Sequence, residues 1–180
     1  MNLNIPNILT SLRILLIPLV VIIFYLPIEH AGPYSATLFA IAGITDWFDG
    51  YLARKLNQAS RFGAFLDPVA DKLMVAVVLV MIVEYFGGMW FMIATMVIIG
   101  REITVSALRE WMAEVGERKK IAVSQLGKVK TTVQMFSLFF ILYQEPLLGL
   151  PSAEIGLVLL LIATLLTIWS MVSYLRQALT

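Results

Sequence analysis

Thr45–Lys72 reads T-D-W-F-D-G-Y-L-A-R-K-L-N-Q-A-S-R-F-G-A-F-L-D-P-V-A-D-K. Asp46, Asp49, Asp67 and Asp71 stand here in a 180-residue chain that is otherwise mostly apolar. Hydrophobic residues make up 60% of it and charged residues 14%, and its mean hydropathy is +0.89. An aspartate at the centre of a bilayer costs roughly 2.5–3.5 kcal/mol on insertion scales. Four of them without compensation would cost roughly four times as much. Packing gives no reason to keep such a cluster. The bland alternative is a solvated turn between two helices. The chemical reading is a bound cation, or a pair, serving chemistry on a phosphate.

Outward from this stretch the apolar residues come in long runs, more than a soluble domain of this size carries. The expectation is an all-α integral membrane protein, a six-transmembrane-helix bundle forming one domain over residues 1–180. About 20 apolar residues cross a bilayer as a helix. Span one is Ile14–Leu26 with flanking Ile8–Leu12, ended by Pro27. Span two runs from Tyr34 through the motif to Ala53, and span three over Ala64–Tyr85, with Gly87-Gly88 as the turn. Span four is Met89–Leu108 with a polar extension to about Glu114. Spans five and six are Ser124–Tyr143 and Ser152–Leu175. The first apolar run is expected to stay in the mature protein, because no Lys or Arg precedes Arg13 and no A-x-A cleavage signal follows.

The connections alternate in charge. One set carries Arg13, Arg54, Lys55, Arg61, Arg109, Arg118, Lys119, Lys120, Lys128, Lys130 and Arg176. The other, Pro27–Pro33, Glu84–Gly88 and Gln144–Glu154, carries Glu29, Glu84, Glu145 and Glu154 and no Lys or Arg. The positive-inside rule then places both termini and the basic links in the cytoplasm. An odd number of spans would put like-charged links on opposite sides. The net charge of +1 gives no argument for nucleic acid, and the absence of cysteine excludes disulfides and thiolate chemistry. His30, with only Glu29 as a titratable sequence neighbour, reads as a surface loop residue.

Asp46 and Asp49 are three apart and Asp67 and Asp71 four apart, so each pair shares a helix face. Pro68 suits the first turn of its helix. A hairpin of spans two and three would bring the four carboxylates to the cytoplasmic edge of the bilayer. Carboxylate oxygens without thiolate or imidazole favour Mg²⁺ or Mn²⁺. Two such ions could clamp the attacking and leaving oxygens of a phosphoryl displacement. Gly50, Ala53 and Gly63 would let a diphosphate approach the backbone, or simply allow close helix packing. Arg54 and Lys55 could hold diphosphate oxygens, or set topology.

The pattern D-x-x-D-G-x-x-A-R, eight residues, then G-x-x-x-D-x-x-x-D resembles the signature of the CDP-alcohol phosphotransferases. It falls on Asp46, Asp49, Gly50, Ala53, Arg54, Gly63, Asp67 and Asp71 without a departure. Asn4–Arg13, Arg101–Glu110 and Gly127–Gln134 are similar to the bacterial phosphatidylglycerophosphate synthase branch of that family, so the likeness covers nearly the whole chain. It implies phosphatidyl transfer from CDP-diacylglycerol to sn-glycerol 3-phosphate with release of CMP, a six-helix fold and a homodimer among membrane lipids. It implies Asp46, Asp49, Asp67 and Asp71 as ligands of two Mg²⁺ or Mn²⁺ ions, with Asp71 also the general base. Asp49, Gly50, Ala53, Arg54, Ser60 and Gly63 would bind CDP-diacylglycerol. Arg101, Arg109, Lys128, Lys130 and Thr131 would bind the acceptor's phosphate. Arg101 and Arg109 are eight apart and face the same way, and a guanidinium engages two phosphate oxygens together; lipid headgroups are the alternative partner.

Glu102 and Glu110 could orient the arginines or balance charge. Asn7, Thr10 and Arg13 could cap helix one or touch headgroups, with capping the expected role of Thr10. Serine and myo-inositol phosphate are alternative acceptors that the motif does not exclude. An acid-lined ion transporter is the alternative from another class; against it, the acids gather at one membrane edge.

Overall fold

The structure, a computed structural model, describes residues 5–55, 61–116 and 125–179; within these, residues 5–7, 47–55, 61, 62, 64, 126 and 177–179 are described by their backbone alone. Six helices account for nearly all of it: α1 Ile5–Tyr25, α2 Ala31–Lys55, α3 Arg61–Phe86, α4 Met89–Glu114, α5 Gln125–Tyr143 and α6 Ser152–Leu179. Each expected span therefore has its helix, with ends that differ by at most a few residues from those expected. Gly87 and Gly88 both take positive φ, 65° and 87°, which makes the tight turn between α3 and α4 without a Cβ penalty.

Among the described residues three helices are long and apolar enough to cross a membrane: Ile8–Tyr25, Met89–Glu114 and Ser152–Arg176. The other three are diluted by polar and charged residues. α2 and α3 hold the motif's charges, and α5 holds Lys128 and Lys130. Large apolar side chains cover the outside of the bundle, including Leu15 and Trp169, each 68% exposed. A surface so apolar suits lipid rather than water, and the protein is an all-helical membrane protein.

α5 packs along α6, and α1 along α2; α2 also meets α5, and α4 meets α6. Val20, Phe39, Leu79, Ile98, Leu138 and Leu160 lie in the continuous core these contacts bury. Small residues set the spacing. A Cβ on Gly32 would stand 2.8 Å from the carbonyl oxygens of Leu142 and Tyr143, and one on Gly156 2.8 Å from the Ile141 backbone nitrogen. Buried hydroxyls bridge helices: Ser35 donates to the Val20 carbonyl at 3.0 Å and Ser137 to that of Gly156 at 2.9 Å.

Two local expectations change. Pro68 lies inside α3 rather than in its first turn, because the helix begins at Arg61. The proline removes one hydrogen bond near the helix start, and the helix continues through it. His30 does have a second carboxylate neighbour. Its Nδ1 lies 2.9 Å from Glu145 in the α5–α6 connection, a partner 115 residues away that sequence proximity does not reveal.

Candidate active site

Asp46 on α2 and Asp71 on α3 lie within electrostatic reach of one another. Among the described residues α2 and α3 share few contacts, and α1 packs on both. Arg13, buried on α1, donates from NH1 to Asp46 Oδ1 at 2.5 Å. One turn earlier Thr10 donates from Oγ1 to Asp67 Oδ1 at 2.5 Å. Thr10 is thus not a helix cap: it lies inside α1, and its hydroxyl reaches across to α3. Arg13 pairs with a motif carboxylate. A charged hydrogen bond of this kind is shorter and about twice as strong as a neutral one.

Asp71 sits one turn after Asp67 on α3, accessible to solvent, within electrostatic reach of Asp46, Glu102, Arg13 and Lys72. Gly63 is buried near the start of α3. Asp49, Gly50, Ala53 and Arg54 follow Asp46 on the last turns of α2, and their side chains lie outside the described residues, as does Ser60 entirely. Among the described residues no three acidic or imidazole side chains gather closely enough to hold one ion in common. The carboxylates of Asp46, Asp67 and Asp71 are all-oxygen, anionic donors, which is the chemistry a hard divalent cation takes.

A second polar cluster joins α4, α5 and α6. Its centre is Glu102, whose Oε1 accepts from Arg101 NH1 at 3.2 Å and from Lys130 Nζ. Lys130 is fully buried. Arg101 NH2 donates to Ser170 Oγ at 2.7 Å, and Arg109 NH2 to the Tyr174 hydroxyl at 3.0 Å. The Tyr174 ring lies under both guanidinium groups, 5.5 Å from that of Arg101 and 5.3 Å from that of Arg109. Both arginines keep a buried Nε–H with no partner among the described residues. A buried donor without a partner is costly, and two on arginines that share a ring make a natural seat for an anion. Lys128 and Thr131 are exposed at the edge of this cluster, the Thr131 hydroxyl donating to the Gly127 carbonyl at 3.0 Å.

The two clusters are neighbours. Asp71 is within electrostatic reach of Glu102 and of Lys130, so acids suited to metal and cations suited to phosphate share one end of the bundle. Sequence reading missed Ser170 and Tyr174, which have no signal beyond α6 facing α4. It also missed the partners of Thr10 and Arg13. For Arg13 the signal existed: an arginine beside a long apolar run is expensive unless paired.

The family model described as CDP-alcohol phosphatidyltransferase matches residues 3–169 of the chain. Several bacterial proteins carry the name CDP-diacylglycerol–glycerol-3-phosphate 3-phosphatidyltransferase and align over 178 residues, 99% of this chain and 96% of their own length. The Salmonella typhimurium protein is 51% identical, that of Escherichia coli K12 49% and that of Shigella flexneri 48%. Residues 3–169 contain Thr10 and Arg13, the whole aspartate motif and Arg101, Glu102, Arg109 and Lys130, and the chain belongs to the CDP-alcohol phosphatidyltransferase family.

Proposed function

We propose that the chain transfers the phosphatidyl group of CDP-diacylglycerol to sn-glycerol 3-phosphate, releasing CMP. The observation that carries the reading is the placement of Asp71 within electrostatic reach of Asp46 and of Glu102, whose partner Arg101, like Arg109, keeps a buried Nε–H without a partner among the described residues. The relatives' shared name states the same donor and acceptor.

Asp46, Asp49, Asp67 and Asp71 would hold divalent cations, Mg²⁺ or Mn²⁺ and two in number. When bound, such ions neutralise diphosphate charge and stabilise departing phosphate oxygens. Arg13 holds the Asp46 carboxylate in place through its hydrogen bond, and Thr10 does the same for Asp67. Asp71, reached by solvent, takes the proton from the acceptor hydroxyl as it attacks. The hydroxyl oxygen forms a bond to the phosphatidyl phosphorus, the bond from that phosphorus to the CMP oxygen breaks, and CMP leaves with the electron pair. Asp49, Gly50, Ala53, Arg54, Ser60 and Gly63 bind CDP-diacylglycerol. Arg101 and Arg109 grip the acceptor's phosphate, with Lys130 set by Glu102 and Lys128 and Thr131 at the rim. A groove of about 300 Å³ between α3 and α4, walled by Val69, Leu73, Ile99 and Ile103, opens beside Lys72 and Glu102 at this end; its apolar walls suit a lipid substrate.

All six helices span the bacterial inner membrane, both termini and the site face the cytoplasm, and two copies pair. The charge asymmetry of the connections supports that orientation. Arg109→Ala tests the acceptor assignment. It raises the KM for glycerol 3-phosphate much more than that for CDP-diacylglycerol, as loss of a phosphate contact requires. Equal effects on both substrates would remove Arg109 from the acceptor site.

A further inference from the structure

We infer that the end of the bundle opposite the aspartates carries a binding site for a membrane lipid with an ammonium headgroup, made by Glu84, Tyr25 and the groove between α1 and α3. The groove has a volume of about 410 Å³ and is almost entirely apolar except at one end. Val21 on α1 and Val77, Val80 and Met81 on α3 form its walls. From Ala76 to Glu84 it follows eight residues of α3, about 12 Å at the helical rise. The hydrocarbon core is about 30 Å thick, so one leaflet offers about 15 Å. The groove therefore matches one acyl chain in one leaflet, and its polar end falls where a headgroup sits.

That end is chemically specific. The exposed Glu84 carboxylate accepts a hydrogen bond from the Tyr25 hydroxyl and keeps further acceptor capacity. The Tyr25 ring stands beside it, itself held edge-on against Phe24 at 5.4 Å. A carboxylate attracts an ammonium by charge, and a neighbouring tyrosine ring adds to that attraction. The connections at this end, Pro27–Pro33, Glu84–Gly88 and Gln144–Glu154, hold no Lys or Arg, and their one basic side chain, His30, is taken up by Glu145 and Glu29. Glu154 adds a further negative charge against anionic headgroups. The site is independent of catalysis: Glu84 is thirteen residues beyond Asp71, about 20 Å along α3.

The test uses the purified full chain stripped of lipid in detergent, with retained lipid counted by native mass spectrometry. The probes share dioleoyl chains and differ in headgroup: phosphatidylethanolamine, its N-acetylated derivative, phosphatidylcholine and phosphatidylglycerol. The wild type retains the two ammonium lipids at least tenfold more tightly than the other two. Glu84→Gln, whose amide oxygen still accepts from Tyr25, abolishes the preference without changing transferase turnover. Val80→Trp fills the groove and lowers retention of the ammonium lipids. The N-acetyl comparison removes charge from the lipid alone, so it stands even if a variant folds poorly. Equal retention of phosphatidylethanolamine and its N-acetyl form by the wild type would overturn the inference, as would an unchanged preference in Glu84→Gln. If Val80→Trp instead split a dimer and left lipid retention intact, the occupant would be a second copy and the lipid site would fall.

Discussion

Removing Glu102 should damage the fold far more than removing the lysine it pairs with. Glu102 serves two cations, Arg101 and Lys130. The Lys130 side chain is 1% exposed and that of Glu102 23%. Glu102→Leu leaves a buried ammonium without its hydrogen-bonded acid, and breaking a buried pair from one side costs about 3–5 kcal/mol. The more distant charge of Asp71 still acts on Lys130, which favours the lower end of that range. Lys130→Met leaves Glu102 with Arg101 and with access to water, so its cost is about 1–2 kcal/mol. The double variant removes the stranded charge, and its cost falls close to that of Lys130→Met. Arg101 retains Ser170 and Tyr174 there. The double-mutant cycle should then give a coupling close to the whole Glu102→Leu cost, about 3 kcal/mol. The assay is reversible unfolding in mixed micelles for the four proteins. Additive single effects, or Glu102→Leu no worse than Lys130→Met, would show that the buried lysine does not depend on Glu102.

Three further outcomes follow from other contacts. Asp67→Asn keeps the shape and the Thr10 hydrogen bond but loses the anion, so turnover falls by orders of magnitude while the melting temperature holds; full activity would remove Asp67 from the metal set. The hydrogen bond to Glu145 holds the His30 pKa above its usual value, with Glu29 adding to the effect. A raised folded pKa means that this contribution is fully present below the unfolded value of about 6.5 and is lost as pH rises through the folded one. His30→Gln should therefore flatten the pH dependence of the melting temperature above about pH 6.5, and an unchanged profile would contradict the pairing. A single cysteine at Leu148, 94% exposed, should react with an impermeant thiol reagent in intact cells, and one at Ser60 should not. Ser152, in the same connection, is a poor probe because it is buried with its hydroxyl on the Glu145 carbonyl.

The helices were legible because a bilayer demands long apolar runs with polar breaks, and Pro27, Gly87-Gly88 and Pro151 mark those breaks plainly. The aspartates were legible because four acids in an apolar chain need a chemical reason. Their support was not. Thr10 and Arg13 look like residues of a helix start, and only the packing of α1 against both α2 and α3 reveals them as partners of Asp67 and Asp46. Tyr174 has no local signal: its ring matters because α6 crosses α4 where Arg101 and Arg109 face it. His30 reads as an isolated loop residue until the α5–α6 connection brings Glu145 beside it. Helical spacing places residues on a face, but which face meets which is a long-range property.

The most direct test of the proposed function is acceptor choice by the purified chain. CMP release from CDP-diacylglycerol should be followed with radiolabelled acceptors offered one at a time. With Mg²⁺ or Mn²⁺ present, sn-glycerol 3-phosphate should support turnover and give a labelled lipid product. Glycerol should give almost none, because the donors that would meet the phosphate on Arg101 and Arg109 would stay unpaired, and a site built for a polar group rejects an analogue lacking it by roughly 10⁴–10⁵. Robust product from serine or myo-inositol phosphate, with none from glycerol 3-phosphate, would contradict the acceptor assignment.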